Sequence, residues 1–282
     1  MTGVAWERVY GCDGTSEHVP ALLEALTAAE PETRGRARNE LSAHLYHQGT
    51  RWQASAVVVP FLVALADDPA TPERADLLRM LRRVAIGDHR DDALPFDARA
   101  AYPAADRVTD EQLLRLNLWL TGDDEAGDDE AGDAGADRWA RDAYDALAAH
   151  AGTVTGWVGD ADPAVAELAA GLLAWLPPTP LAVAALLATV SAAANLTLAH
   201  LPVDDPAVDA HLRRRLGHPD RQVALTAAIA LAYRHRAATP EPALTMLAVA
   251  ADPDGPLPPD VPGWDDRALR GFVALALARI GW

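Results

Sequence analysis

The sequence predicts an all-α protein: a right-handed superhelix of antiparallel helix pairs stacked in file. Three observations carry that expectation. First, three segments, opening at Asp162, Asp220 and Asp266, share one apolar pattern, with small or branched apolar residues three, seven, eight and eleven positions on. Each residue of an α-helix turns the chain by about 100°, so these offsets fall on one side. A rod that buries one stripe needs a neighbour to bury it against, and repetition supplies the neighbours. Second, Thr71-Pro72, Asp162-Pro163, Thr179-Pro180, Asp205-Pro206 and Thr239-Pro240 each set a capping side chain before a proline. The side-chain oxygen satisfies an orphan backbone N–H, and proline at the first helical position has no N–H to lose. Third, hydrophobic residues make up 50% of the chain, mostly Ala, Leu and Val, with no convincing strand alternation. A stack that grows in one dimension also accommodates residues 1–282 as one domain, which a single compact core would not.

Between these punctuators the helical period predicts helices at 20–29, 33–47, 53–66, 72–86 and 110–120, then at 137–150, 153–159, 163–176, 180–190 and 192–200, and finally at 206–216, 220–235, 240–250 and 265–281. The connections are short enough to set successive helices antiparallel. Pro60 falls inside the third helix and is expected to kink it. Two regions break the rhythm. Residues 87–109 are too long and proline-containing for a tight turn and read as an irregular insertion. Residues 121–137 are acidic, glycine-rich and nearly devoid of apolar groups, so they read as a mobile loop. Their oxygen ligands suggest calcium, but the spacing lacks the closing bidentate Glu of an EF-hand.

The formal net charge is −17, with an isoelectric point near 4.8. Phosphate backbones repel such a surface, which argues against nucleic acid as a partner. All 24 basic residues are arginine, so no lysine nucleophile, Schiff base or phosphate-loop lysine exists. The lone Cys12 excludes an internal disulfide and a cysteine zinc knuckle. With no stretch of about 20 apolar residues and no secretory pattern at the start, the expectation is a cytoplasmic protein without a membrane partner.

Paired helices, a kinked first helix, and a second helix opening on Asp-x-x-Val/Leu with an alanine pair resemble HEAT repeats. Asp266-Arg-Ala-Leu-Arg-Gly-Phe-Val-Ala-Leu-Ala-Leu-Ala-Arg-Ile-Gly is the copy most like one. The likeness covers roughly residues 18–86 and 137–281. Trp6, Tyr10-Gly11, Val19-Pro20, His47-Gln48-Gly49-Thr50, Ala54-Ser55 and Val59-Pro60-Phe61-Leu62 are similar to a largely uncharacterised group of actinobacterial HEAT-repeat proteins. The resemblance implies an α-solenoid. HEAT-like enzymes offer two checks. Deoxyhypusine hydroxylases hold iron with His-Glu dipeptides, and here only the reversed Glu17-His18 occurs. HEAT-type alkylpurine DNA glycosylases present a basic concave face with aromatics, and this chain has the tryptophans but the opposite charge.

No nucleophile elbow, phosphate loop, dinucleotide fingerprint or His-Glu-x-x-His string occurs. Ser16, Ser42, Ser55 and Ser191 are the only serines, none in a recognisable strained turn. The densest polar and aromatic cluster runs from Glu40 to Trp52. Glu40, His44 and His47, spaced four and three apart, share one face of the expected helix and would suit a divalent transition metal. No fourth ligand announces itself, and the reading adopted is that no metal or other cofactor is bound. His47-Gln48-Gly49-Thr50 reads as a helix stop on Gly49. The functional alternative is a rim presenting His47, Gln48, Arg51 and Trp52 to a ligand, joined by exposed Trp6 and Tyr10. Arg34, Arg36 and Arg38, Arg213–Arg215, and Arg234 with Arg236 form basic knots, read as helix faces paired with nearby acids.

Nothing here supplies a chemical engine, so the expected function is a non-enzymatic protein-interaction scaffold or adaptor, a toxin-neutralising role included. Its acidic surface favours a basic protein partner. The alternative is an enzyme or small-molecule binder with a site in the N-terminal half, where Tyr10, Glu40, His44, His47, Gln48, Trp52 and the 87–109 insertion would converge. A third reading, nucleic-acid binding, requires the arginines to gather on one face.

Overall fold

The computed structural model describes residues 3–120 and 129–282. It is all-α, with fifteen α-helices and four two-residue strands among the described residues. The chain forms two compact units: residues 1–88 with 97–150, and residues 89–96 with 151–282.

The first unit holds α1 (Val19–Ala25), α2 (Pro31–Leu45), α3 (Gln53–Asp67), α4 (Arg74–Ile86), α5 (Ala98–Ala101), α6 (Asp110–Leu120) and α7 (Asp129–Ala148). Two hairpins, β1 (Tyr10–Gly11) with β2 (Gly14–Thr15) and β3 (Tyr46–His47) with β4 (Thr50–Arg51), punctuate it. Helix α3 lies against α4 and α7, and carries Val58, Val59 and Leu62 into the core. It runs unbroken through Pro60, whose ring is exposed.

The hairpins were not legible as strands, and the second corrects a boundary. Helix α2 ends at Leu45, not 47, because Tyr46 pairs with Arg51 and His47 with Thr50. Gln48 and Gly49, with φ of 48° and 87°, make the two-residue turn with both central residues left-handed that suits the twist of a hairpin.

Helix α7 corrects another expectation. It begins at Asp129, so residues 129–137 are helical rather than loop; the remainder of that segment, 121–128, lies outside the described residues. Of the described glycines in that segment, Gly135 is a contact glycine, whereas a Cβ on Gly132 would meet nothing within 4 Å. A Cβ on Gly135 would meet Leu116 Cδ2 at 2.3 Å, so its absence lets α6 approach. Neighbouring Ala134 packs with Val108 and Leu113, and Asp137 accepts the Ala104 N–H at 2.9 Å. The 87–109 insertion contains α5 and two short 3₁₀ turns; its residues 89–96 belong to the second unit and the rest to the first.

The second unit holds α8 (Ala151–Trp157), α9 (Pro163–Leu172), α10 (Pro180–Ala188), α11 (Ala192–His200), α12 (Pro206–Arg215), α13 (Arg221–His235), α14 (Glu241–Ala250) and α15 (Leu269–Ile280). Here α9 packs on α11, α11 on α13 and α13 on α15, while α10 touches α8, α11 and α12. Alanines permit this closeness: every residue from Val223 to Tyr233 of α13 is buried. Asp162, Asp205 and Asp220 accept backbone N–H groups at 2.8–2.9 Å, and Thr179 and Ser191 do so at 3.0–3.1 Å. Each satisfies an orphan donor.

The other two Thr-Pro signals do not cap. Helix α4 starts after Glu73, which is left-handed at φ 55°, and the Thr239 hydroxyl donates backward to the Arg236 carbonyl at 2.5 Å. Asp266 is not a cap either, because α15 starts at Leu269, whose N–H is taken by Asp260 at 2.6 Å. The segment 89–96 belongs to this unit through Asp91, which is buried and accepts from Arg267 Nε at 2.7 Å, and through Phe96, whose ring meets Trp175 at 5.7 Å. No described helix is long and apolar enough to cross a membrane.

Candidate functional site

The first hairpin, the start of α1 and the end of α2 bring three chemically active side chains together. Asp13 occupies the two-residue turn between β1 and β2, His18 immediately precedes α1, and His44 sits in the last turn of α2. One ligand-type atom from each lies within 4.8 Å of the others. The imidazoles of His18 and His44 meet edge to face at 4.5 Å. Backbone pairing fixes the arrangement, since the Cys12 N–H donates to the His44 carbonyl at 2.9 Å. Gly11 is required here. A Cβ at that position would stand 2.3 Å from the His44 ring.

His44 is held at both nitrogens. Nδ1 bonds the Asp13 carboxylate, and Nε2 lies 2.8 Å from Ser16 Oγ. Burial pushes the His44 imidazole below its ordinary value, against the opposing pull of Asp13. Partial burial works to raise the Asp13 carboxyl, but hydrogen bonding and charge attraction from His44, with smaller help from His18, leave it lowered. An ionised carboxylate can only accept, so Nδ1 carries the proton and Ser16 donates its hydroxyl to Nε2.

The order Asp–His–Ser is that of a hydrolytic triad, but exposure runs the wrong way. Ser16 is 0% exposed, while Asp13 stands in solvent. A nucleophile must reach substrate; this hydroxyl reaches only His44. The chain clamps the hairpin to α2.

The residues singled out from the sequence do not converge. Glu40 is exposed on α2, His44 is buried against Asp13, and His47 has left the helix for the exposed end of β3. The expected Glu40, His44, His47 face is therefore broken by the end of α2. Gln48 is exposed on the hairpin turn, and Arg51 is buried, donating to the Tyr102 hydroxyl and, at 3.4 Å, to the Ile86 carbonyl. Trp52 stacks on Trp139 at 5.5 Å. Trp6 and Tyr10, expected at the surface, are buried: Trp6 against Phe61, and Tyr10 with its backbone N–H on Gln53. In the sequence Asp13 does not stand out, and Ser16 and His18 figure only as one of four serines and as half of Glu17-His18, although Gly11, Asp13 and Gly14 are turn-favouring residues.

Several arginines of the basic knots are committed. Arg34 and Arg38 clamp Glu73, drawing its carboxyl down to about 2, and Arg34 also donates to the Ala28 and Ala29 carbonyls. Arg213 pairs with Asp209, and Arg234 donates to the Leu198 and Val203 carbonyls.

The second unit carries an open groove of about 500 Å³ along α13, α14 and the 252–258 turn. Leu216, Leu225, Met246, Val249 and Leu257 form its apolar walls, with His218, Arg221 and Asp252 at hand. Val249 is 69% exposed. Compared with protein-family models and with curated proteins, the chain matches none.

Proposed function

We propose that this protein is a non-enzymatic interaction module: an α-solenoid of HEAT-like helix pairs whose groove along α13 and α14 receives an apolar segment of a basic protein partner. The groove is the observation that carries the reading. Its volume lies in the range of ligand-binding clefts, its walls are aliphatic, and Met246 supplies an adaptable surface. The serial packing of α9, α11, α13 and α15 supports a right-handed superhelical stack, an architecture that presents extended binding surfaces. The net charge of −17 would steer a basic partner toward it. Sealing of Ser16 speaks against a hydrolase at the Asp13–His44 chain. The lone Cys12 suits a reducing cytoplasm. Adaptor and toxin-neutralising roles both use such a surface.

Selection of binders from a peptide display library tests the reading. Enriched peptides should combine aliphatic anchors with Arg or Lys, and Val249→Arg should weaken them at least about tenfold by filling the groove. Because Val249 is exposed, stability should move by less than about 0.5 kcal/mol. Peptides that bind Val249→Arg as tightly as the parent would overturn the assignment.

A further inference from the structure

We propose that Asp13, His18 and His44 form a binding site for one divalent transition-metal ion, of the Zn²⁺ or Co²⁺ class. The ligand set is two imidazoles and a carboxylate, the nitrogen and oxygen donors such ions prefer. The spacing is close to what a metal needs. Bonds of about 2.0–2.2 Å in a tetrahedron set ligand atoms roughly 3.3 Å apart, and here all three atoms already lie within 4.8 Å of one another. Exposed Asp13 and His18 leave the site open to solvent, so water completes the coordination.

The surroundings favour a cation. His44 lies in the last turn of the 15-residue helix α2, at the negative end of the helix dipole. The ring is also held from behind, since Ser16 Oγ lies 2.8 Å from Nε2 and Gly11 leaves room for the imidazole. Such a partner on the far nitrogen orients a metal-bound histidine. The ion enters between the Asp13 carboxylate and His44 Nδ1, where a proton now sits. That proton moves to Nε2, which then donates to Ser16, so His44 stays neutral and releases nothing to solvent. His18 closes the third position from the α1 side.

Titration of the full chain with Co²⁺, read by visible d–d absorption, and with Zn²⁺, read by calorimetry, tests the site. One ion per chain is expected, with imidazole-type Co²⁺ bands. Asp13→Asn and His18→Gln are surface changes that leave the helices in place, as circular dichroism would verify. Each should weaken binding at least about tenfold. Glu40→Gln and His47→Gln should leave affinity unchanged, since neither residue belongs to the cluster. Absence of stoichiometric uptake, or uptake indifferent to both Asp13→Asn and His18→Gln, would overturn the proposal. So would loss of binding in the Glu40 and His47 variants alone.

Discussion

Among the buried histidines, His44 of the first unit and His200 of the second are kept in opposite ways; His211 of α12 is buried in the second unit as well. His44, in the first unit, is bonded at both nitrogens by residues that come from the first hairpin. His200, in the second, lies stacked on Trp264 at 5.3 Å and edge-on to Tyr233 at 5.1 Å, with no hydrogen-bond partner on Nε2. The contrast extends to the helix starts. In the second unit α9 to α13 each open on a side-chain cap a few residues away, whereas His18, Glu30 and Glu73 open α1, α2 and α4 without one. The first unit relies on distant polar ties, such as Ser55 Oγ donating to the Leu45 carbonyl at 2.6 Å. Local chemistry sets these helix starts in the second unit; the first is tied together across the sequence.

The sharpest way to expose this difference is acid. Burial, then the charges of Arg279 and Arg267, lowers the His200 imidazole to about 3, so the unfolded chain takes up a proton near pH 6.5 that the folded chain refuses. Stability from this group is full above pH 6.5 and is lost as pH falls toward 3, by about 3 kcal/mol at pH 4. Thermal melts across that range should show it, and His200→Phe, which keeps the stacking, should make the curve less steep, leaving the part due to His211, whose imidazole burial lowers to about 4. An unchanged slope in that variant would break the comparison.

The first unit should answer most strongly to a distant tie. Ser55→Ala removes the donor to the Leu45 carbonyl and the acceptor of the Trp52 N–H, and should cost about 2 kcal/mol by urea unfolding. In the second unit the matching experiment is local: Asp220→Ala should cost about 1 kcal/mol and Asp220→Asn little. The smallest effect belongs to Glu73→Gln. Because the Glu73 carboxyl is lowered to about 2 by Arg34 and Arg38, the pair contributes above the ordinary carboxyl range and fades as pH falls toward 2. Partial exposure to water holds that contribution under about 1 kcal/mol. Equal sensitivity to Ser55→Ala and Asp220→Ala would erase the distinction.

This contrast also accounts for what the sequence disclosed. The offsets after Asp162 and Asp220 mark buried faces, with Val165, Ala169, Ala170 and Leu173, and Val223, Ala227, Ala228 and Leu231, all buried. In the third copy Leu269 and Val273 are buried but Ala274 is exposed. Periodicity reports burial directly, and caps mark where helices begin. Periodicity carries no information about which hairpin residue will meet which helix end. Asp13 and His44 are 31 positions apart and join only because Gly11 lets an imidazole pass. The burial of Arg51 was hidden likewise, because its partner Tyr102 lies 51 positions on. Gly135 misled for the opposite reason. A residue without a side chain looks the same in a loop as at a tight helix crossing.

The strand of chain from His89 to Phe96 has a further consequence for biogenesis. During vectorial synthesis it leaves the ribosome ahead of every helix that will receive it, carrying Asp91 without Arg267 and Phe96 without Trp175. A C-terminal fragment beginning at Ala151 would lack the Asp91 and Phe96 contacts of the second unit. That unit retrieves a piece already laid down, so its completion depends on chain made before α8.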